Sequence, residues 1–225
     1  MSLSAIPAET AYQYPEDPAS ITQLWYRGGH SDWLSALSHY EDLIIDMELE
    51  QRMASLDWHE VQQMDGEDFY NFLHDQYYVW RHSAPNRLST VRGYLRKHRR
   101  GGDLSELEAI KDRLFSADRT DVSVMLKIAE QIRGMGTAGA SGLLSFLFPD
   151  QFGVLDQFVV ISLRKIDGLP EHDALQKMPA MGMRTNDGVL VENILRSKAL
   201  ALNKQFHTDF WTPRKIDMVL WSYDR

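Results

Sequence analysis

The sequence predicts an all-α fold, and three observations lead to that prediction. Along most of the 225-residue chain, apolar side chains recur every three or four positions, the period of a helix with one buried face. Aspartate, serine, glycine and proline, which start or stop helices, separate these segments. No segment shows the alternation of apolar and polar side chains that a half-buried strand requires. We therefore expect about nine or ten helices and no sheet.

The N-terminal part divides into an arm and a long helix. Residues 1–28 contain three of the eight prolines and little periodicity, so we interpret them as an extended arm. A helix is predicted over residues 31–56, with Leu34 and Leu37 on its apolar face. Its acidic residues, including Glu50, are interpreted as a solvated face, and the alternative is that one of them serves as a general acid.

Each later helix has its own signal. Apolar residues from Phe69 to Trp80 follow the helical period, and a proline at position 85 ends that helix. A short basic helix follows, and Ser105 with Glu108 forms a capping box for the next one. The last helix opens with a proline at its first position. The predicted ranges are 65–83, 89–98, 105–116, 121–132, 137–148, 156–166, 189–205 and 214–223.

Composition is typical of a globular protein and excludes several kinds of site. The chain is 44% hydrophobic and 25% charged. No apolar run approaches the ~18 residues that cross a membrane, so no membrane partner is expected. The absence of cysteine excludes disulfides, thiolate zinc sites and a cysteine-ligated iron–sulfur cluster. Because the first residues lack the basic and apolar segments of a signal peptide, we expect a cytoplasmic protein.

The net charge of −8 argues against a general nucleic-acid binder, but the charge is unevenly distributed. Residues 1–75 hold 15 acidic and two basic residues, whereas residues 76–102 hold no acidic residue and seven basic ones. A local basic face can bind phosphate even on an acidic protein. The candidates for phosphate contacts are Arg92, Arg96, Arg99 and Arg100. The alternatives are a solvated helix or a partner for the chain's own acidic region.

The most informative stretch is a predicted helix, a tight turn and a second helix, followed by an aspartate. Gly134 and Gly136 lie in the turn, where glycine permits unusual backbone angles and leaves amides uncovered. The amides of Thr137, Ala138 and Gly139 begin the second helix without internal partners, at the positive end of its dipole. Such a helix end suits a phosphate. The alternative is a turn that only packs two helices together.

The residues Ile132-Arg-Gly-Met-Gly-Thr-Ala-Gly-Ala140 resemble the helix-hairpin-helix signature. Phe152-Gly-Val-Leu-Asp156 resembles the loop and catalytic aspartate of the helix-hairpin-helix DNA glycosylase superfamily, with the adenine-specific mismatch glycosylases closest in wording. The spacing between the second hairpin glycine and the aspartate also fits the family. The resemblance covers roughly 35 residues and implies a two-lobed helical fold with a cleft between the lobes. The implied lobes are residues 104–170, containing the hairpin, and residues 29–103 with 171–225.

The resemblance also implies roles for individual residues. Asp156 would be the catalytic carboxylate, stabilising positive charge at the sugar C1′ or activating a water, and its alternative role is that of an ordinary helix cap. Ala138 stands where bifunctional members carry a Schiff-base lysine, so a monofunctional glycosylase is the most that is implied. The carbonyl groups of Glu130, Ile132 and Met135 would hold a structural monovalent cation.

Three aromatic residues are candidates for stacking on an extruded base, namely Tyr78, Trp80 and Trp211, with core packing as the alternative. Arg214, at the start of the last helix, has a charge that opposes the helix dipole and hints at an anion site. The expected partner is duplex DNA, and the expected reaction is removal of a damaged or mismatched base. The alternative is a non-catalytic DNA-binding or protein-interaction module on the same fold.

Overall fold

The computed structural model describes residues 20–179 and 181–223, except for the side chain of Arg100. Helix makes up 72% of the structure, and these residues contain no strand, so the predicted all-α class is confirmed. None of the described helices is both long enough and apolar enough to cross a membrane. Most of the predicted arm, residues 1–19, lies outside the described ranges.

The described chain forms fourteen α-helices, so the expected number of nine or ten is wrong. The ranges predicted as 31–56 and 65–83 each contain two α-helices, and three short helices were not predicted. They are α1 (Ile21–Arg27), α2 (His30–Leu43), α3 (Met47–Ala54), α4 (Trp58–Gln63), α5 (Gly66–Phe72), α6 (Tyr78–Arg81), α7 (Pro85–Leu95), α8 (Ser105–Ser116), α9 (Val122–Ala129), α10 (Thr137–Leu147), α11 (Gln157–Arg164), α12 (His172–Lys177), α13 (Thr185–Phe206) and α14 (Pro213–Ser222). A π-helical turn, Leu73–Tyr77, joins α5 to α6, and a 3₁₀-helix, Arg96–Gly102, follows α7.

The helix predicted over residues 31–56 is wrong in one respect, because the structure breaks it after Leu43 and restarts it at Met47. Asp46 caps the second piece by accepting the N–H of Leu49 at 2.9 Å. Apolar residues continue through the break, so periodicity did not reveal it. The break leaves Ile45 fully exposed.

The helix that contains α5 and α6 is continuous, but its π-helical turn shifts the buried face. A π turn adds one residue to an α-helix, so the side chains beyond it point in a new direction. As a result Tyr77 and Tyr78 are fully buried, whereas Trp80 is half-buried. The Tyr77 hydroxyl donates to the carbonyl of Gly139, and the Tyr78 hydroxyl donates to that of Arg133 at 3.3 Å. This helix therefore supports the turn between α9 and α10.

Buried side chains form two hydrophobic clusters. The first draws on residues 53–152, which includes α4 to α10. The second combines α1 and α2 with residues 155–220, where α14 packs against α2, α11 and α13. The chain therefore crosses from one cluster to the other at Phe152–Leu155. Buried residues from Met53 to Leu95 belong to the same cluster as the hairpin residues. The division of the chain into the two predicted lobes stays a prediction.

Candidate functional site

The turn between α9 and α10 contains two glycines with different constraints. Gly134 has a φ of +98°, and a Cβ there would lie 3.0 Å from the carbonyl oxygen of Val91 on α7. Only glycine fits that position without strain. Gly136 has an ordinary φ of −97°, is exposed, and would have nothing within 4 Å of an added Cβ. The turn thus lies against α7 on one side and is open at Gly136.

The first amides of α10 have no partner within the described chain. The N–H groups of Thr137, Ala138 and Gly139 donate no hydrogen bond there, as expected at a helix N-terminus. The Thr137 side chain is buried, whereas Ala138 and Gly139 are half-buried. A carboxylate already lies at this end, because Glu130 accepts the hydroxyl of Thr137 at 2.6 Å and that of Thr185 at 2.9 Å.

The three carbonyl groups predicted to hold a cation lie in the same turn. The Ile132 carbonyl accepts the N–H of Met135 at 3.0 Å. Within the described chain, the carbonyl groups of Glu130 and Met135 accept no hydrogen bond. A carbonyl oxygen has two lone pairs, so all three retain capacity to bind a cation. The cation itself remains a prediction.

The buried side chain of His98, which was not among the predicted site residues, anchors the turn. The Nε2 atom of His98 accepts the N–H of Arg133 at 2.8 Å, and Nδ1 lies 2.9 Å from a carboxyl oxygen of Glu106. Because Nε2 accepts, the proton of the neutral ring must be on Nδ1. Burial lowers the pKa of His98, although Glu106 acts in the opposite direction. The neutral ring therefore ties the hairpin to α8.

A cleft of about 790 Å³ lies between the two clusters. Its walls include Trp80, Leu88 and Ala138 from the first cluster's side, and Leu155, Met183 and Trp221 from the second's. Asp156 also lines it, so the two residues to which the resemblance assigns the central roles, Asp156 and Ala138, share one cleft. Two exposed apolar side chains, Ile45 and Met181, belong to the same lining.

Asp156 is both a helix cap and a cleft residue. Its Oδ1 atom accepts the N–H of Phe158 at 2.9 Å and that of Val159 at 3.2 Å, which caps α11. Its Oδ2 atom accepts no hydrogen bond from the described chain. The half-buried carboxylate therefore retains one oxygen for other chemistry while the other holds the helix.

The cleft also contains a buried ionic network that was not predicted from the sequence. The guanidinium of Arg214 donates to Glu50 at 2.7 Å, to Asp217 at 2.6 Å and to the hydroxyl of Tyr40 at 2.9 Å. Burial alone would lower the pKa of Arg214, but Asp217, Tyr40 and Glu50 together raise it, so the guanidinium stays charged. The anions that compensate Arg214 are thus the chain's own carboxylates.

The prediction that Glu50 belongs to a solvated face is wrong, because Glu50 is only 7% exposed. It accepts hydrogen bonds from Tyr40 at 2.9 Å and from the indole N–H of Trp80 at 2.5 Å. After the break before Met47, α3 begins a new helix in which Glu50 and Met53 are the buried residues. With Arg214 beside it, Glu50 is a paired carboxylate inside the protein.

Asp217 of this network and a second buried carboxyl group, that of Glu192, accept backbone N–H groups just before Asp156. Burial raises the pKa of Asp217 to about 7, against the opposing influence of Arg214, and nearby Asp156 raises it further. Burial raises the pKa of Glu192 to about 8, against the N–H of Gly153. Both groups are therefore near their titration range at neutral pH.

The structure brings one of the three predicted stacking residues to the cleft. Trp80 lines it, half-buried. Tyr78 is fully buried in the first cluster. Trp211 is 2% exposed, with its ring centroid 5.6 Å from that of Trp33 in the second cluster. Stacking on a base does not fit the burial of Tyr78 or Trp211, since neither ring has an open face.

The basic segment lies beside the hairpin, but several of its charges are already paired. Arg92 donates to the carbonyl of His74 and approaches Asp75, while Arg99 pairs with Glu67 and stacks on Tyr70. Arg96 is exposed, and the side chain of Arg100 lies outside the described part. Arg87, which was not among the predicted phosphate contacts, lines the cleft and has no acidic partner in the described chain. Next to it, burial together with Arg81 and Arg87 lowers the pKa of His82 to about 4.

Comparison with known proteins adds no relative. No protein-family model, no curated protein and no solved structure matches this chain. The assignment to a family therefore rests on the residues of the hairpin and of the loop before Asp156, and it remains an expectation.

Proposed function

We propose that this protein binds duplex DNA and removes a damaged or mismatched base by hydrolysis, as a monofunctional glycosylase of the helix-hairpin-helix type. One observation carries the proposal. Asp156 caps α11 and Ala138 lies on α10, yet both line the same cleft of about 790 Å³. A carboxylate is therefore available in the cleft, and the side chain at the lysine position lacks an amine.

The hairpin is the proposed grip on the DNA backbone. Gly136 is exposed, and the amides that follow it have no partner in the described chain. Unpaired amides at a helix N-terminus bind phosphate oxygens. The carbonyl of Val91 lies against Gly134, so basic helix α7 lies directly beside this end. Arg96 and Arg87 would add sequence-independent phosphate contacts.

The cleft is the proposed site of chemistry. An extruded nucleotide would place its base beside Trp80, which lines the cleft and is half-buried, and its sugar beside Asp156. As the bond from C1′ to the base nitrogen breaks, the electron pair leaves with the base and positive charge develops at C1′. The Asp156 carboxylate would stabilise that charge and orient a water whose oxygen bonds to C1′. One proton of the water ends on the departing base, which balances the reaction.

A second candidate function is a non-catalytic DNA-binding or protein-interaction module. Two observations favour it. The Oδ1 atom of Asp156 is fully used as a helix cap, and the carboxylate of Glu130 already lies at the N-terminus of α10. The two functions differ in one measurable property, which is whether a base is released.

The test uses duplexes that carry a panel of damaged and mismatched bases, followed by alkali to cut at any abasic site. The wild-type protein should release at least one of these bases, and Asp156→Asn should slow release by about 100-fold or more. Asp121→Asn is the matched control, since Asp121 also caps a helix, accepting the N–H of Val124 at 3.0 Å, but does not line the cleft.

Two results would decide against the proposed chemistry. Release of no base from any duplex, with DNA binding intact, would leave the non-catalytic module. A covalent adduct trapped by borohydride would show that an amine attacks C1′, which conflicts with Ala138 at the lysine position.

A further inference from the structure

Three consecutive backbone amides lie directly before Asp156, and each donates to a buried side chain of a different helix. The pairs are Gly153 with Glu192 on α13 at 3.2 Å, Val154 with Asp217 on α14 at 2.7 Å, and Leu155 with Ser141 on α10 at 2.9 Å. All three acceptor side chains are almost completely inaccessible to solvent. We call Ser141, Glu192 and Asp217 the amide clamp.

The clamp leaves the loop little room to shift. A Cβ on Gly153 would lie 2.6 Å from Leu195 Cδ1 and 2.9 Å from the carbonyl oxygen of Pro213. The backbone therefore passes between α13 and α14 with no room for a side chain at this position. On the N-terminal side, Arg196 donates to the carbonyl of Gln151 at 2.7 Å. The loop is therefore fixed along its length by side chains of surrounding helices.

Two of the three acceptors are carboxyl groups, which is a costly way to satisfy a buried amide. Burying a carboxyl group carries a large desolvation penalty, whereas a hydroxyl such as that of Ser141 satisfies an N–H at much lower cost. In return, a carboxylate oxygen forms a shorter and stronger hydrogen bond than a neutral acceptor. The 2.7 Å distance from Val154 to Asp217 has that character.

The residue after the three bound amides is Asp156, and its side chain is also held by hydrogen bonds. Its Oδ1 accepts the N–H groups of Phe158 and Val159 at the start of α11. We infer that Ser141, Glu192 and Asp217 are positioning residues that hold the Asp156 carboxylate at one place in the cleft. The inference rests on the proposed function, because reaction at a sugar carbon requires a carboxylate held to a fraction of an ångström.

A simpler explanation is that the three side chains only satisfy amides of a buried loop. The two explanations differ in what happens beyond the loop. If the clamp holds Asp156, loosening one amide must also loosen the bonds that Asp156 makes with Phe158 and Val159. If it only satisfies local amides, the change must stop at the amide that lost its partner.

Two buried serines on α10 provide a matched pair of variants. Ser141 accepts the Leu155 N–H and donates to the carbonyl of Ala138, while Ser145 only donates to the carbonyl of Gly142 within its own helix. Ser141→Ala and Ser145→Ala therefore remove the same hydroxyl from the same helix. The main readout is amide hydrogen exchange at Phe158 and Val159, measured by NMR on the protein without DNA.

We expect Ser141→Ala to speed exchange at both amides by about tenfold, the value of one buried hydrogen bond, while Ser145→Ala leaves it unchanged. Glu192→Gln keeps an acceptor oxygen for Gly153 and should also leave it unchanged. Equal exchange in the two serine variants would overturn the inference. Faster exchange in Glu192→Gln, to the extent seen in Ser141→Ala, would do the same, since it would indicate general loosening.

Kinetics then connect the clamp to the reaction. On a duplex that the wild-type protein processes, Ser141→Ala should lower the single-turnover rate of base release by about tenfold or more, with the Kd for DNA unchanged. An unchanged rate would overturn the positioning role. If the wild-type protein processes no duplex, the proposed function fails, and the exchange measurements still decide whether the clamp holds Asp156.

Discussion

Two glycine-containing turns in this molecule use their backbone amides in opposite ways. The turn before α10 exposes Gly136 and leaves the following amides without partners in the described chain. The loop before α11 is buried, and its amides from Gly153 to Leu155 are all bound by side chains. Amides left free can bind a ligand, whereas amides already bound can only hold the chain in place. Glycine therefore accompanies unpaired amides in one turn and fully bound amides in the other, which matches the recognition proposed for the first and the positioning proposed for the second.

The comparison is tested most strongly by adding one methyl group to each turn. Gly153→Ala would place a Cβ 2.6 Å from Leu195 and should lower the free energy of unfolding by about 2–4 kcal/mol through overpacking. Gly136→Ala meets nothing within 4 Å and should change it by less than about 1 kcal/mol. Urea denaturation of both variants measures the difference. Equal losses would show that the two turns are not constrained differently.

The buried carboxyl of Glu192 makes the clamped loop sensitive to pH. Burial raises its pKa to about 8 in the folded protein, whereas the unfolded chain has the ordinary value near 4.5. Between these two pKa values the folded state holds a proton that the unfolded state has lost. The free energy of unfolding is therefore unaffected by this group below pH 4.5 and decreases as the pH rises towards 8. The slope approaches about 1.4 kcal/mol per pH unit for one such group.

Glu192→Gln removes this titration and keeps an acceptor for Gly153. The stability of the wild-type protein should therefore fall more steeply between pH 5 and pH 8 than that of the variant. Asp217, whose pKa burial raises to about 7, leaves a remaining slope in both proteins. Urea denaturation at several pH values measures the two slopes, and parallel slopes would show that Glu192 is ionised throughout this range.

The smallest predicted effect concerns the open turn. Gly136→Asp would place a carboxylate at the N-cap of α10. There it would accept hydrogen bonds from the unpaired N–H groups and repel a phosphate. We expect about fivefold weaker binding of duplex DNA at low salt, without loss of stability. Gly136→Asn is the matched control, because it caps the helix without charge and should weaken binding less. Unchanged binding in Gly136→Asp would remove this turn from the DNA interface.

The sequence predicted the parts of this protein that depend on local pattern. Most helices appear where periodicity placed them, and the turn at Gly134 contains the left-handed residue expected of a glycine. The cap formed by Asp156 was the alternative role that the sequence offered for this residue, since an aspartate before a helix can cap it through short-range hydrogen bonds. What these features share is that all their determinants lie within a few residues.

The network in the cleft could not be predicted in the same way. Asp217 lies three residues after Arg214 on the same helix, but Tyr40 and Glu50 meet Arg214 only because α2 and α3 pack near α14, across separations of 174 and 164 positions. Glu50 shows the error most clearly, because it follows several acidic residues and differs from them only in the direction that α3 gives it. Tertiary packing, which no local pattern encodes, decided its environment.

The π-helical turn at Leu73–Tyr77 decides which way the side chains after it face. Such a turn accommodates one surplus residue, so a deletion within it would return the helix to regular α geometry while the side chains beyond it kept their directions. If the undeleted sequence instead wound as a regular α-helix, every side chain beyond that point would rotate by about 100° about the axis. Trp80 would then swing away from Glu50, to which its indole donates at 2.5 Å, and the wall of the cleft would change shape. The extra residue in this turn is therefore a condition for the present shape of the cleft.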